Sequence, residues 1–209
     1  MKAKQTVKNP FDLAIAAIEA GDKEEAIDQV TRLNETALHV HDRMVQYINL
    51  MLSFVAEEMG EERVRDVWRY VIGRVHKKGV LALKGRTHDD VVKVFMVEHA
   101  AHGSTFSLEE REGKTEIILH CCGSGGRLRK NQLQSDEGKL KKRWPWGFGK
   151  EGISYYCSHC SIVSEDSPGW DADFKINVKF GKQFDQEGKP IEDPCRFEII
   201  QKKKGSETP

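Results

Sequence analysis

The sequence predicts an α+β fold, with N-terminal helices followed by a roughly four-stranded antiparallel sheet that carries helices on one face. Apolar residues recur at helical spacing from Phe11 to about Ala101. After Gly103 the pattern switches to alternation, most plainly in Phe174, Ile176, Val178 and Phe180 against Lys175, Asn177 and Lys179. The predicted helix with Cys157 and Cys160 falls between two pairs of strands, an order that suits an antiparallel sheet better than repeating parallel units.

Taken in order, Phe11 to Ala20 reads as a short helix closed by Gly21, a residue suited to a left-handed cap. Asp22 followed by Glu25 is a capping box, and Ile27, Val30 and Leu33 share a face of the helix it opens, which completes a helical hairpin. A long helix then runs from Glu35 to Met59. Its middle, Met44 to Val55, is apolar around much of its circumference, which predicts burial on several sides or pairing in a dimer. Val64 to Val75 marks an amphipathic helix ending near Gly79, and Thr87 caps a helix that reaches Ala101. His39 and His41, two apart on the long helix, point away from each other.

Strands follow at Thr105 to Arg111 and Lys114 to Cys122, joined by a tight turn at Glu112-Gly113. Parity puts one of Cys121 and Cys122 toward the core and the other away, unless a bulge intervenes. The glycine-rich segment 123–130 reads as a lid or connection, with a loop whose backbone N–H groups wrap an anion as the alternative. It lacks the Gly-Lys-Ser/Thr ending of a phosphate-binding loop. Lys139 to Lys150 mixes basic residues with Trp144 and Trp146, and it reads as a loop whose tryptophans roof a pocket rather than as a nucleic-acid contact. Tyr155 to Val163 predicts a helix, Asp171 to Phe180 a strand, 181–194 a polar turn region and Cys195 to Ile200 the last strand, with Cys195 on the apolar side beside Phe197. The expected organisation is a helical region over 1–80, a cysteine-rich α+β domain over 84–201 and a disordered tail over 202–209.

Composition narrows the function classes. The 33 basic and 33 acidic residues cancel, so no net field draws the chain to nucleic acid or membrane. The opening residues lack the apolar core of a secretory signal, and no run reaches the roughly 18 apolar residues of a membrane helix. A cytoplasmic location is expected. Five cysteines are an odd number in a chain large enough to form its own core, which points to reduced thiols rather than a disulfide framework.

Every cysteine lies in the C-terminal half: His120-Cys121-Cys122, Cys157-Ser158-His159-Cys160, and Cys195. Soft donors in this pattern predict a metal site, with Cys122, Cys157, Cys160 and Cys195 as ligands and zinc as the expected ion, iron or another thiophilic metal being possible. Three ligands and an open position would make a hydrolytic centre, with Glu98, His99 and His120 as the catalytic groups. Four ligands would close it. Without metal, a cysteine of low pKa beside His120 or His159 would be a nucleophile. The expected function is therefore a metal-dependent hydrolase-like enzyme acting on a small polar, possibly sulfur- or nitrogen-containing molecule. The alternative is a small-ligand or metal-sensing domain with a structural cysteine site. The expected partners are a small molecule and a second copy through the N-terminal helices, with no nucleic acid and no membrane.

Cys122 at a strand end, then Tyr156-Cys157, then Asp193-Pro194-Cys195-Arg196-Phe197 also resembles the L-2-amino-thiazoline-4-carboxylic acid hydrolase-like proteins and the related 4-vinyl-reductase-like small-ligand domains. The resemblance covers roughly Lys84 to Gln201. It implies a cytosolic α+β module with a cysteine-rich site that opens a thiazoline ring in some members and binds small molecules or metal in others. Cys122, Cys157 and Cys195 are the matching thiols, while Cys121, Cys160 and the Trp-Pro-Trp loop stand outside the pattern.

Overall fold

The computed structural model describes residues 9–202, so the expected tail lies outside the described residues apart from Lys202. The chain divides into two compact units, one ending at Arg43 and one beginning at Met44.

The first unit holds α1 (Pro10–Ala20) and the start of α2 (Lys23–Met59). The Asn9 side chain accepts the Asp12 N–H, and Gly21, at φ 75°, ends α1 in the left-handed conformation that costs glycine least. Asp22 caps α2 by accepting the Glu25 N–H at 3.1 Å. Two helices were expected between Asp22 and Met59, but α2 is continuous. No glycine or proline lies within it, and nothing else stops a propagating helix. Ala14, Ala17 and Ala26 are buried in this unit, whereas Phe11, Ile15, Ile18, Ile27 and Val30 are exposed.

The second unit takes α2 from Met44, then α3 (Glu62–Arg74), α4 (His76–Leu81), α5 (His88–Ala101), β1 (Thr105–Arg111), β2 (Lys114–Cys121), α6 (Gly125–Lys130), α7 (Ser158–Asp166), β3 (Phe174–Lys179) and β4 (Cys195–Gln201). The strands form one antiparallel sheet in the order β1-β2-β4-β3. Ile117 and Leu119 of β2, Phe197 and Ile199 of β4, and Phe174, Ile176 and Val178 of β3 turn to one face. There they share a core with Leu52, Trp68, Ile72, Val91, Phe95 and Ile162 from the helices. Each such side chain contributes about 1.5–3 kcal/mol by leaving water. Leu52, Val64, Trp68 and Ile72 belong to that core, so the second unit takes in α2 from Met44 together with α3.

The opposite face is polar. Glu116 and Glu198 lie across from each other on β2 and β4, and Lys114, Lys179 and Arg196 surround their carboxylates at 2.6–3.0 Å.

Other expectations fare unevenly. Of the two alternatives for Met44–Val55, burial on several sides fails: the stretch is buried along one stripe, at Val45 and Leu52, while Met44, Met51 and Phe54 are exposed. Segment 123–130 is not an open lid, because it contains α6 with Gly125, Gly126 and Leu128 buried. Trp146 lies in the core with Trp144 stacked on it at 5.9 Å, and both line a surface hollow with Arg63, Arg65 and Asp66 of α3. Glu61 holds this loop, accepting from the Lys141 N–H at 2.6 Å, the Tyr155 hydroxyl at 3.0 Å and the Trp144 indole.

Candidate functional site

The end of β2 decides which cysteine turns inward. Phe106 pairs with Leu119 but Thr105 pairs with Cys121, so His120 is an extra residue at a bulge. Cys122 then leaves the strand, and its carbonyl accepts the Arg127 N–H at 3.0 Å to start α6. The backbone N–H groups of Ser124, Gly125 and Gly126 donate toward its sulfur. Gln183 fastens the position from below, accepting the Cys122 N–H at 3.2 Å and donating to the Leu119 carbonyl at 2.6 Å. Its φ of 63° is unusual for a residue with a Cβ, and the two amide bonds hold it there.

Cys195 opens β4 directly opposite Leu119, three residues before Cys122. Its thiol donates to the Gly181 carbonyl at 3.2 Å, and the Gly181 N–H lies 3.3 Å from its sulfur. Cys157 stands at the N-terminus of α7 with its N–H on the Ser154 hydroxyl, and Cys160 follows one turn later. Ser164 of α7 accepts the Val178 N–H of β3 at 2.7 Å, which ties the helix to the sheet edge. Asn49 of α2 accepts the Tyr156 N–H at 2.9 Å, and the Trp68 indole of α3 donates to the Tyr155 carbonyl at 2.8 Å. A Cβ added at Gly125 would sit 2.2 Å from the Cys157 sulfur, and one at Gly126 would sit 3.1 Å from the Cys122 Cβ. The glycine pair is thus the floor between the two thiols.

All four thiols are half-buried and packed against the same core. Burial pushes Cys157 and Cys160 up to about 12, with repulsion from neighbouring anions adding to it. Burial likewise raises Cys122, against the opposing pull of the amide donors, and lifts Cys195 well above the ordinary thiol range. Cys122, Cys157 and Cys160 each add to the rise at Cys195. A thiol near 12 is ionised on the order of once in 10⁵ molecules at neutral pH, so the low-pKa nucleophile expected beside a histidine is not what burial produces. The His159 Nδ1 lies 2.6 Å from the Tyr156 carbonyl, which can only accept. That places the ring proton on Nδ1 and turns the bare Nε2 to the Cys160 sulfur at 3.3 Å.

The three expected catalytic groups fall in different surroundings. Glu98 is exposed on α5, near enough to His76, His159 and Cys160 to influence their titration. The His99 ring packs edge-on against Phe197 at 5.1 Å, and burial lowers its pKa to about 4; its Nε2 has no hydrogen-bond partner. His120, on the bulge, is exposed and bonded to the Ser107 hydroxyl at 3.0 Å. Among the described residues, no group of three or more His, Cys, Asp or Glu side chains is disposed to hold a metal ion.

No family model matches the chain, and no curated protein or solved structure matches it. Two positioning residues escaped the sequence reading. Asn49 carried a signal, being a polar residue inside the apolar run Met44–Val55. Gln183 carried none, since it sits in a polar turn region where any glutamine would pass unnoticed.

Proposed function

We propose that this protein is a binding module that takes up a thiophilic metal at Cys122, Cys157, Cys160 and Cys195, in a sensing or structural capacity rather than a hydrolytic one. What supports the reading is that Cys122, Cys157 and Cys160 lie near enough to Cys195 to raise its pKa, and that backbone N–H donors at Ser124–Gly126 and Gly181 face the sulfurs of Cys122 and Cys195. Such donors favour sulfur in its anionic, ligating form. Uptake must displace thiol protons, so affinity rises with pH.

A second reading, metal-dependent hydrolysis of a small polar molecule, is favoured by the nearness of Glu98 to His159 and Cys160. It has fewer proton carriers to work with, because His120 faces solvent and His99 is a neutral ring against Phe197. Cytoplasmic residence belongs to the proposal as well; among the described residues no helix is long and apolar enough to cross a membrane. Self-association through the exposed apolar residues of the first unit completes the reading, and analytical ultracentrifugation tests it.

Elemental analysis of untagged protein, purified without chelator and then saturated with zinc or ferrous iron, is the deciding experiment. A stoichiometric soft metal is expected, reduced in Cys157→Ser and in Cys195→Ser. No retained metal, together with all thiols titrating at one rate, would overturn the reading.

A further inference from the structure

We propose that α2 is one half of an antiparallel coiled coil completed by α2 of a second copy of this chain. The inference rests on the self-association proposed above and gives it a surface, an orientation and a register. α2 carries a heptad repeat that its own chain leaves uncovered. Val30, Ala37, Met44 and Met51 stand seven apart, and Leu33, Val40, Tyr47 and Phe54 repeat at the same interval three residues later. These are the a and d positions of a seam from Val30 to Phe54, about 36 Å of helix. Every one of them is exposed, Tyr47 by 58% and Phe54 by 64%. In the second unit a different side of α2 meets the body: Val45 is buried, Leu52 joins the core, and Asn49 accepts the Tyr156 N–H. That side lies roughly 150° around the helix from Met44, Tyr47, Met51 and Phe54.

The period identifies the occupant as a helix. A strict repeat of seven drifts by about 20° per heptad on a straight helix, and it stays in line only when two helices supercoil around each other. The flanks argue against a bilayer, because Arg43 is the single Lys or Arg among the e and g positions that border the seam, whereas helices lying in a membrane interface are rich in both. The seam also matches itself when reversed. In an antiparallel pair each a residue meets a d residue of the other helix. One two-fold axis near residue 42 then pairs Val30 with Phe54, Leu33 with Met51, Ala37 with Tyr47 and Val40 with Met44, all in one register. The smallest side chain of the seam thereby faces one of the largest. A parallel pair would stack Ala37 on Ala37 and Tyr47 on Tyr47, a void in one layer and crowding in another. The antiparallel register also carries Phe54 to a hollow of about 430 Å³ on the first unit of the other copy, where Ile18, Ala26, Ile27 and Val30 are among the lining residues. The large side chains of the seam each present on the order of 100 Å² to solvent, so pairing buries about 1,400 Å² in all, the size of a standard specific interface.

Analytical ultracentrifugation of the full chain, kept reduced so that no disulfide links copies, tests the seam. A dimer is expected, and Tyr47→Glu should weaken it by at least about 30-fold with the far-UV circular dichroism unchanged. Should Tyr47→Glu fail to fold, Met51→Glu takes its place at another exposed position. A volume exchange reads the register. Ala37→Tyr and Tyr47→Ala should each weaken the dimer by about tenfold, and the double variant should recover to within about threefold of wild type, because the two residues then trade places in their shared layer. A chain that stays monomeric at about 100 µM overturns this inference and the self-association above with it. A dimer that survives Tyr47→Glu overturns the seam alone, and its loss in Phe11→Glu of α1 would leave self-association through the first unit standing. Two weakened single variants with no recovery in the double overturn the antiparallel register. Wild-type chain held as a monomer on vesicles of phosphatidylcholine and phosphatidylserine overturns the second copy as the occupant.

Discussion

The close approach between α6 and α7 makes Gly125→Ala the sharpest test of the site's geometry. The new methyl carbon would lie 2.2 Å from the Cys157 sulfur, whereas favourable contacts between heavy atoms begin near about 3.5 Å. One of the two atoms must therefore move by roughly 1.3 Å, which by overpacking costs about 1–3 kcal/mol. Alanine in a helix gains about 0.5–1 kcal/mol over glycine, so the clash outweighs the propensity and the net effect is destabilising by up to about 2.5 kcal/mol. Gly73 supplies the internal control, since it lies in α3 with nothing within 4 Å of its added Cβ. Gly73→Ala should stabilise by about 0.5–1 kcal/mol, opposite in sign. Urea denaturation reads both through the midpoint at constant m-value. The chain has a second way to relieve the clash, which is to swing the Cys157 side chain out of the centre. That exit would show as faster reaction of Cys157 with a thiol reagent. If Gly125→Ala is as stabilising as Gly73→Ala and Cys157 reacts at the wild-type rate, the reasoning about this floor is refuted.

Other expectations are shorter to state. His99 is held neutral with its pKa near 4, while the unfolded chain takes up a proton near 6.5. Its stabilising share is therefore present above pH 6.5 and is lost as pH falls toward 4, at up to about 1.4 kcal/mol per pH unit; His99→Phe should flatten the urea midpoint over that window, and an unchanged slope would contradict the assignment. Burial pushes the Glu198 carboxyl up, but hydrogen bonds from Lys114, Lys179 and Asn177 bring it down to about 2. The ionised network is thus fully present above the ordinary carboxylate pKa near 4.5 and fails as pH drops toward 2; Glu198→Gln should lose about 1–3 kcal/mol at neutral pH, and thermal denaturation showing no loss would count against it. Glu61→Ala removes the acceptor shared by Lys141, Trp144 and Tyr155; it should cost about 1–3 kcal/mol and shift tryptophan emission to the red, whereas emission identical to wild type would mean that Glu61 does not hold the loop. Gln183→Ala leaves the Cys122 N–H and the Leu119 carbonyl unpaired; alkylation of Cys122 should accelerate, and an unaltered rate would show that the cysteine is held by other means.

Local rules were enough for much of this molecule, because they concern neighbours along the chain. The caps at Asn9, Asp22 and Thr87, the alternation of β3 and the single turn between Cys157 and Cys160 all depend on residues at most four positions apart. Their physics is that of one helical turn or one pleat, so the α+β class and the helix-to-strand switch after Gly103 were legible without coordinates. Long-range pairing decided the rest. The preference for Cys122 over Cys121 turns on a bulge at His120, and that bulge exists only because β1 pairs in a register that skips one residue. Parity counted along a single strand cannot see this. The nearness of Cys195 to Cys122 follows from β4 lying between β2 and β3, a strand order set by which apolar faces can share one core. The exclusion of His120 from the thiols and the burial of His99 against Phe197 follow from the same packing. Residue chemistry nominated the thiols; only the packed sheet decided how each is buried and which backbone groups meet it.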